Sequence, residues 1–283
     1  MNNCLIVEGG GFKTGFTTGI LDSFLASSYD PFDSYIGISG GTIALSYYLS
    51  EQYRVCFPTI QFLAEDPEFT KFRRTLGDQG YMNIDLIVTA ADHNVPFDLE
   101  AGLAKLEKSR VHFVATCRDQ GIPEYLVPDR KSWIDACVAS CTIPFITKGK
   151  HEFNGRSYFD GGWSDPLPVK WAYEQGAREI LVLRTNPKEL RATQSWADYF
   201  GAKYFDSDTK LGSVFAHSHE WYNEALDFMD NPPSDLKIKQ IIPEETLKSG
   251  AYTYSGTSLM EDYRNGLDLG LSYLHEVKLE DEL

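Results

Sequence analysis

The sequence predicts an α/β fold built on a central, mostly parallel sheet, and three observations carry that prediction. The first is "CLIV" (residues 4–7), an apolar run of strand length that ends at Gly9-Gly10-Gly11 and leads into "TTGILDSFLA", whose apolar residues recur at helical spacing. The second is "SYIGISGG" (34–41), which repeats the pattern of strand and glycine-flanked turn before the helical "TIALSYYLSEQ". The third is a pair of later strands, "RVHFVATC" (110–117) and "EILVLRTN" (179–186), the latter preceded by the helical "VKWAYEQGA". Strands that alternate with helices lie parallel, because only a crossover helix returns the chain to the same end of the sheet.

The remaining elements follow in order. Residues 51–109 are less regular and carry Tyr53, Phe57, Phe62, Phe69, Phe72 and Tyr81. Aromatics at this spacing form a helical layer packed on the core, or the lid or wall of an apolar pocket. "SWIDACVASCTIPF" reads as a helix stopped by Pro144. Beyond residue 187 the chain is mainly helical and amphipathic: a long segment over 189–229, a strand in "LKIKQIIP", and a closing helix from "GTSLMEDYRNGLDLGLSYLHEV". No run rich in Pro, Gly or Ser separates this part. The expected organisation is a core over 1–186, with 51–109 as a helical insert or lid-like region, and an integrated helical region over 187–283.

Composition narrows the function classes. The 283 residues carry 41 Asp and Glu against 26 Lys and Arg, a net charge of −15. Nucleic-acid affinity comes largely from neutralising phosphates, so a nucleic-acid partner is not expected. Electrostatic docking on anionic lipid is disfavoured for the same reason, leaving at most transient membrane contact. Cys137 and Cys141 stand four apart, but no His or further Cys completes a zinc site, and no carboxylate cluster has calcium-loop spacing; no metal or cofactor is expected. Five cysteines without a C-x-x-C pair fit buried free thiols. The N-terminus lacks a basic leader and no apolar run reaches membrane-spanning length, so the expected compartment is cytoplasmic.

Chemistry concentrates in three stretches. Gly37-Ile38-Ser39-Gly40-Gly41 satisfies G-x-S-x-G with a strand before it and a helix after. In that context a serine sits on a sharp turn, with Gly37 and Gly41 letting neighbouring backbone crowd in, and the N–H that follows it faces a developing oxyanion. A structural or helix-capping serine, or a phosphate cradle, uses the same residues. Only one strand–helix unit precedes Ser39, too little for an α/β-hydrolase sheet. The oxyanion donors then come from the triple glycine: Gly10 and Gly11 through their N–H groups, with Lys13 adding positive charge. The third stretch is "GRSYFDGGWSDPLP", a short strand ending at Asp160 with Gly161 and Gly162 allowing a tight turn; Asp160 is the candidate base and Asp165, before a proline, a weaker competitor. Of the six histidines, His217 and His219 follow Asp160 in the order a Ser–Asp–His triad needs. They read as solvated or structural residues of a helix.

These motifs together resemble the patatin-like phospholipase family, and most closely its bacterial cytosolic branch of predicted esterases: GGG-x-[RK], then G-x-S-x-G, then D-G-G. "ASCTIPFI" and "DGGWSDPLPVKWAYEQGAREILVLRTNP" are similar to that family's connecting segments, and the likeness covers about residues 4–186. The resemblance implies a three-layer sandwich with helices on both faces of the sheet and a Ser39–Asp160 dyad without a catalytic histidine. It also implies an oxyanion loop at Gly10, Gly11 and Lys13, and lipid or small ester substrates. A serine acyl hydrolase is the expected function. A non-catalytic lipid-binding or scaffold protein, and a histidine-assisted esterase, are the alternatives. The sequence departs from the family at Thr14, where a glycine usually follows the basic residue. A β-branched residue is strained at positive φ, so Thr14 puts the geometry of the loop in question. Lys13 in place of Arg offers a point charge instead of a planar fork.

Overall fold

The computed structural model describes residues 1–71, 80–143, 146–147, 150–194, 196–204 and 209–281. Phe72 and Pro144, singled out above, lie outside them. The first strand–turn–helix unit is β1 (Asn3–Val7), a 3-10 turn (Gly11–Lys13) and α1 (Thr14–Ala26); the second is β2 (Ser34–Ile38) and α2 (Gly40–Leu49). The insert supplies α3 (Cys56–Glu65), α4 (Leu86–Thr89) and α5 (Leu99–Leu106). Next come β3 (Arg110–Cys117), β4 (Ile122–Leu126), α6 (Trp133–Cys141), β5 (His151–Phe153) and β6 (Arg156–Asp160). The core closes with α7 (Val169–Glu174) and β7 (Glu179–Leu183). Beyond it lie α8 (Trp196–Tyr204), α9 (Thr209–Asp230), β8 (Lys237–Ile241) and α10 (Gly256–Asp281).

The sheet runs β5-β6-β3-β2-β1-β7-β8, with β4 pairing on β3. The run β3-β2-β1-β7-β8 is parallel throughout, while β4, β5 and β6 pair antiparallel. Alternation along each strand builds two cores, because successive side chains point to opposite faces. Leu5, Val7, Tyr35, Phe113, Leu181 and Leu183 join one core; Cys4, Ile6, Ile36, Ile38, Ile180 and Val182 join the other. Helices cover both faces, so the molecule is an α/β sandwich of three layers.

The segments beyond residue 187 clamp both faces. Leu259, Tyr263 and Leu274 of α10 enter the first core, and Tyr222, Leu226 and Met229 of α9 enter the second. The α1–α10 contact is tight because both helices use glycine there: a Cβ on Gly19 would sit 2.1 Å from the Tyr263 carbonyl, and one on Gly266 would sit 2.0 Å from that of Phe16. The amphipathic pattern over 189–229 predicts helix; the structure gives a non-helical stretch at 189–194, part of which lines the cleft described below, followed by α8 and α9.

Register decides what meets at the top of the sheet. Val7 pairs with Gly37, so Gly9 and Ser39 leave their strands side by side. Ile38 pairs with Val114, and the next residue of β3, Ala115, pairs with Asp160. Because β4 pairs with residues 113–117 on one edge of β3, β2 and β6 share the other edge end to end, and Ser39 meets Asp160 where β2 gives way to β6. A ligand fits here, outside the carboxyl ends of the parallel strands, where the order reverses around β1.

Candidate active site

Ser39 adopts φ 51° and ψ −132°, a left-handed conformation unusual for a residue with a Cβ. Its surroundings hold it there. Its N–H donates to Ser140 Oγ at 2.9 Å, and Ser140 Oγ donates to the Val114 carbonyl at 2.6 Å. Its own carbonyl accepts from the Thr42 N–H at 2.9 Å and from Thr42 Oγ1 at 2.7 Å. The flanking glycines give clearance: a Cβ on Gly37 would lie 2.9 Å from Thr42 Cα, and one on Gly41 would lie 2.3 Å from the Val7 carbonyl. Ser140 comes from α6, in the run similar to the family's connecting segment. Its part in the turn has no signal in the serine motif itself.

Each glycine of the triple has a different close neighbour. A Cβ on Gly9 would meet Ser39 Cβ at 2.7 Å, one on Gly10 would meet Thr185 Oγ1 at 2.9 Å, and one on Gly11 would meet the Ala251 carbonyl at 2.0 Å. Gly10 and Gly11 take φ 155° and 56°, so backbone conformation restricts them as well. Among the described residues, neither Gly10 N–H nor Gly11 N–H donates to a protein acceptor, whereas the next amide, Phe12, donates to Ala251 at 3.2 Å. Two free donors beside the serine are what an oxyanion loop requires.

Lys13 ends the 3-10 turn that follows the glycine loop. Its ammonium reaches Asn186 Oδ1 at 2.7 Å and is absent from the cleft lining. Burial lowers its pKa, and Glu8 and Asp262 act against that. Thr14 carries no backbone strain: at φ −56° it is an ordinary helical residue at the start of α1.

Asp160 ends β6 and is buried. Its Oδ1 accepts the Gly162 N–H at 2.8 Å, while Oδ2 has no full hydrogen-bond partner. Burial pushes its carboxyl up to about 7, with the Ser39 hydroxyl and then the Gly162 amide drawing it back. Gly161 lets β6 turn against β3, since a Cβ there would sit 2.2 Å from the Val114 carbonyl. Asp165 is held elsewhere, accepting from Tyr125 Oη at 2.5 Å.

Two cavities meet at Ser39. The larger, about 310 Å³, is mixed in character, with Glu8, Asp160, Asn186, Asp198 and His219 set among apolar residues such as Ile143, Trp163 and Leu190. The smaller, about 70 Å³, is apolar and runs between Ile43, Ile60, Leu63, Phe69, Met82 and Ile87. Insert aromatics thus do both things expected of them. Phe57 stacks on Tyr263 within the core, and Phe69 is at once core and pocket wall. His219 borders the larger cavity with Nδ1 buried and unpartnered, whereas the His217 ring pairs with the Ser213 carbonyl at 2.8 Å.

A buried polar network missed by sequence reasoning backs the glycine loop. Glu8 Oε2 accepts the Thr185 N–H at 2.5 Å, and Oε1 accepts from Tyr222 Oη at 2.9 Å and Asn186 Nδ2 at 3.2 Å. Thr185 Oγ1 also donates to the Gly9 carbonyl at 2.8 Å. Burial raises the Glu8 pKa, opposed by these bonds and by Arg184. An acid directly between an apolar strand and three glycines was the available signal. Tyr222 and Asn186 had none, because only folding brings them there.

A family profile described as Patatin-like phospholipase matches residues 5–173, and one described as a domain of unknown function (DUF6363) matches residues 208–279. The chain is 30% identical over 275 residues to the "Uncharacterized protein YjjU" of Escherichia coli (strain K12), spanning 96% of this chain and 77% of that protein. Against the crystal structure of VipD from Legionella pneumophila the TM-score is 0.45 at 12% identity, covering 97% of this chain and 67% of VipD. Since the first profile takes in the glycine loop, the serine turn and the Asp160 turn, the chain belongs to the patatin-like phospholipase family.

Proposed function

We propose that the protein is a serine acyl hydrolase acting on lipid or small esters through Ser39 and Asp160. The observation that carries this reading is the Ser39 hydroxyl beside the buried Asp160 carboxyl, at the mouth of two cavities, one of mixed and one of apolar lining. Asp160 accepts the serine proton, and Ser39 Oγ attacks the ester carbonyl. Gly10, Gly11 and the Gly40 N–H at the start of α2 hold the oxyanion. The leaving alcohol takes the proton back from Asp160, and water then releases the acyl group from Ser39 by the same steps. A base with a pKa near 7 suits this work at neutral pH.

The apolar pocket takes the acyl chain, and the larger cleft, with its carboxylates and Asn186, takes the leaving group. At about 70 Å³ the pocket accommodates a short chain, and the net charge of −15 opposes adsorption to anionic bilayers. Small, dispersed or lyso-type esters are therefore the proposed substrates. The five cysteines are all free and buried, which supports a reducing, cytoplasmic compartment. Among the described residues, no helix is long and apolar enough to cross a membrane.

A histidine-assisted version of the reaction is favoured by one observation, the unpartnered His219 Nδ1 at the cleft, and that observation singles out His219 over His217. Intact-mass detection of a fluorophosphonate adduct separates the readings. Wild type and His219→Ala are expected to label, and Ser39→Ala and Asp160→Asn are not. Loss of labelling in His219→Ala would favour the triad. An unlabelled, folded wild type would shift the reading to a lipid-binding protein.

A further inference from the structure

We propose that the Thr14 hydroxyl is an additional oxyanion donor, a side-chain supplement to the backbone donors of the glycine loop. This rests on the acyl-hydrolase reading above. Thr14 stands where the resemblance expects glycine, and it is almost wholly buried, at 2% exposure. Its Oγ1 has no hydrogen-bond partner, although most buried hydroxyls find one. Thr14 also borders the small pocket together with Gly11, Ser39 and Gly40, which are the oxyanion loop and the serine turn themselves.

The position of the hydroxyl is defined by its neighbours. A Cβ placed on Gly40 would come within 2.2 Å of Thr14 Oγ1 and 3.2 Å of the Gly11 carbonyl. Thr14 Oγ1 therefore occupies space that any other residue after Ser39 would take, wedged between the two backbone segments that flank the developing oxyanion. The neighbouring threonine Thr17 shows the ordinary alternative: its hydroxyl donates to the Thr14 carbonyl at 3.1 Å. Thr14 Oγ1 makes no such bond to the helix. It is a donor without an acceptor, in an otherwise apolar pocket, beside the nucleophile. The tetrahedral intermediate supplies the missing acceptor. Because the bond strengthens as negative charge develops, it lowers the barrier more than it tightens ground-state binding.

The test compares wild type, Thr14→Val, Thr14→Ser and Thr14→Gly by hydrolysis of p-nitrophenyl butyrate and by the rate of fluorophosphonate labelling. Thr14→Val keeps the shape and removes the donor. It is expected to lower kcat on the order of 10²-fold with KM little changed, and to slow labelling in parallel. Thr14→Gly is expected to fall with Val, and Thr14→Ser, which restores a hydroxyl, to stay near wild type. If Val turns over as fast as wild type, or if Ser falls as far as Val, the hydroxyl is no oxyanion donor and only this inference is lost. If the folded wild type neither labels nor turns over the ester, the hydrolase reading fails and takes the inference with it.

Discussion

The turns after β1 and β2 do the same job in the fold, carrying a parallel strand into a helix, and they place strain differently. After β1 the two left-handed positions are both glycines, Gly10 and Gly11, and no side chain is held out of its preferred conformation. After β2 the left-handed position is Ser39 itself, with glycines only as its neighbours. A loop that offers N–H groups works without side chains, whereas a nucleophile needs one. Strain is therefore confined to the single residue whose side chain the proposed chemistry cannot lose. Four hydrogen-bonding partners, Ser140 Oγ, the Val114 carbonyl behind it, and the N–H and Oγ1 of Thr42, hold the second turn shut.

The largest expected effect comes from the third turn, which carries the proposed base. Asp160→Asn should reduce kcat by about 10³–10⁴-fold, since an amide cannot take the serine proton. In wild type kcat/KM should fall about tenfold per pH unit below about 7, where the buried carboxyl is protonated. Stability should move the other way. The folded pKa lies above the unfolded one, so its contribution is fully present below the ordinary aspartate value of 3.8 and is lost as pH rises through about 7. Asp160→Asn should therefore melt above wild type at pH 8, with the gap narrowing as pH falls toward 4. Thermal melts across that range check it, and a gap that widens in acid would contradict the assigned burial.

The glycine loop should break next. Gly11→Ala places a methyl against the Ala251 carbonyl at a left-handed φ, which should cost roughly 2–4 kcal/mol of stability. Any folded fraction should lose on the order of 10²-fold in kcat as the donors shift. Chemical denaturation and ester turnover measure both. An alanine variant with wild-type values would show that the loop has slack.

The smallest effect sharpens the comparison most. Ser39→Gly should stabilise the protein by roughly 0.5–1 kcal/mol, because glycine takes the left-handed conformation without steric cost. Ser39→Ala keeps that conformation and should gain nothing. Matched melting curves for the two inactive variants decide this; coincident curves would mean that no strain is stored at Ser39.

Much of the fold was legible because its signals are local. The strands β1, β2, β3 and β7 are apolar runs bounded by glycine or helix, and both turns announce themselves through glycines at fixed offsets from Ser39. Asp160 was legible for the same reason. The antiparallel strands β4 and β5 were not, because "IPEYL" and "HEF" are short, partly exposed edges without an apolar run. Nor was the non-helical stretch at 189–194, which continues the amphipathic pattern of the helices that follow it. Nor was the partner of Lys13, because Asn186 stands 173 residues away in the chain.

By itself the sequence determined the α/β class, the two strand–turn–helix units, the serine and aspartate turns, and an acidic surface. All of these depend on residues within a few positions of one another. Only the tertiary structure decided that Gly11 faces Ala251, that Glu8 is satisfied by Thr185, Asn186 and Tyr222, and that Thr14 Oγ1 is buried without a partner. It also decided that the insert and the C-terminal helices close the cavities on either side of Ser39. Those contacts join residues far apart in the chain, and their existence depends on sheet register and helix docking, which no local pattern encodes.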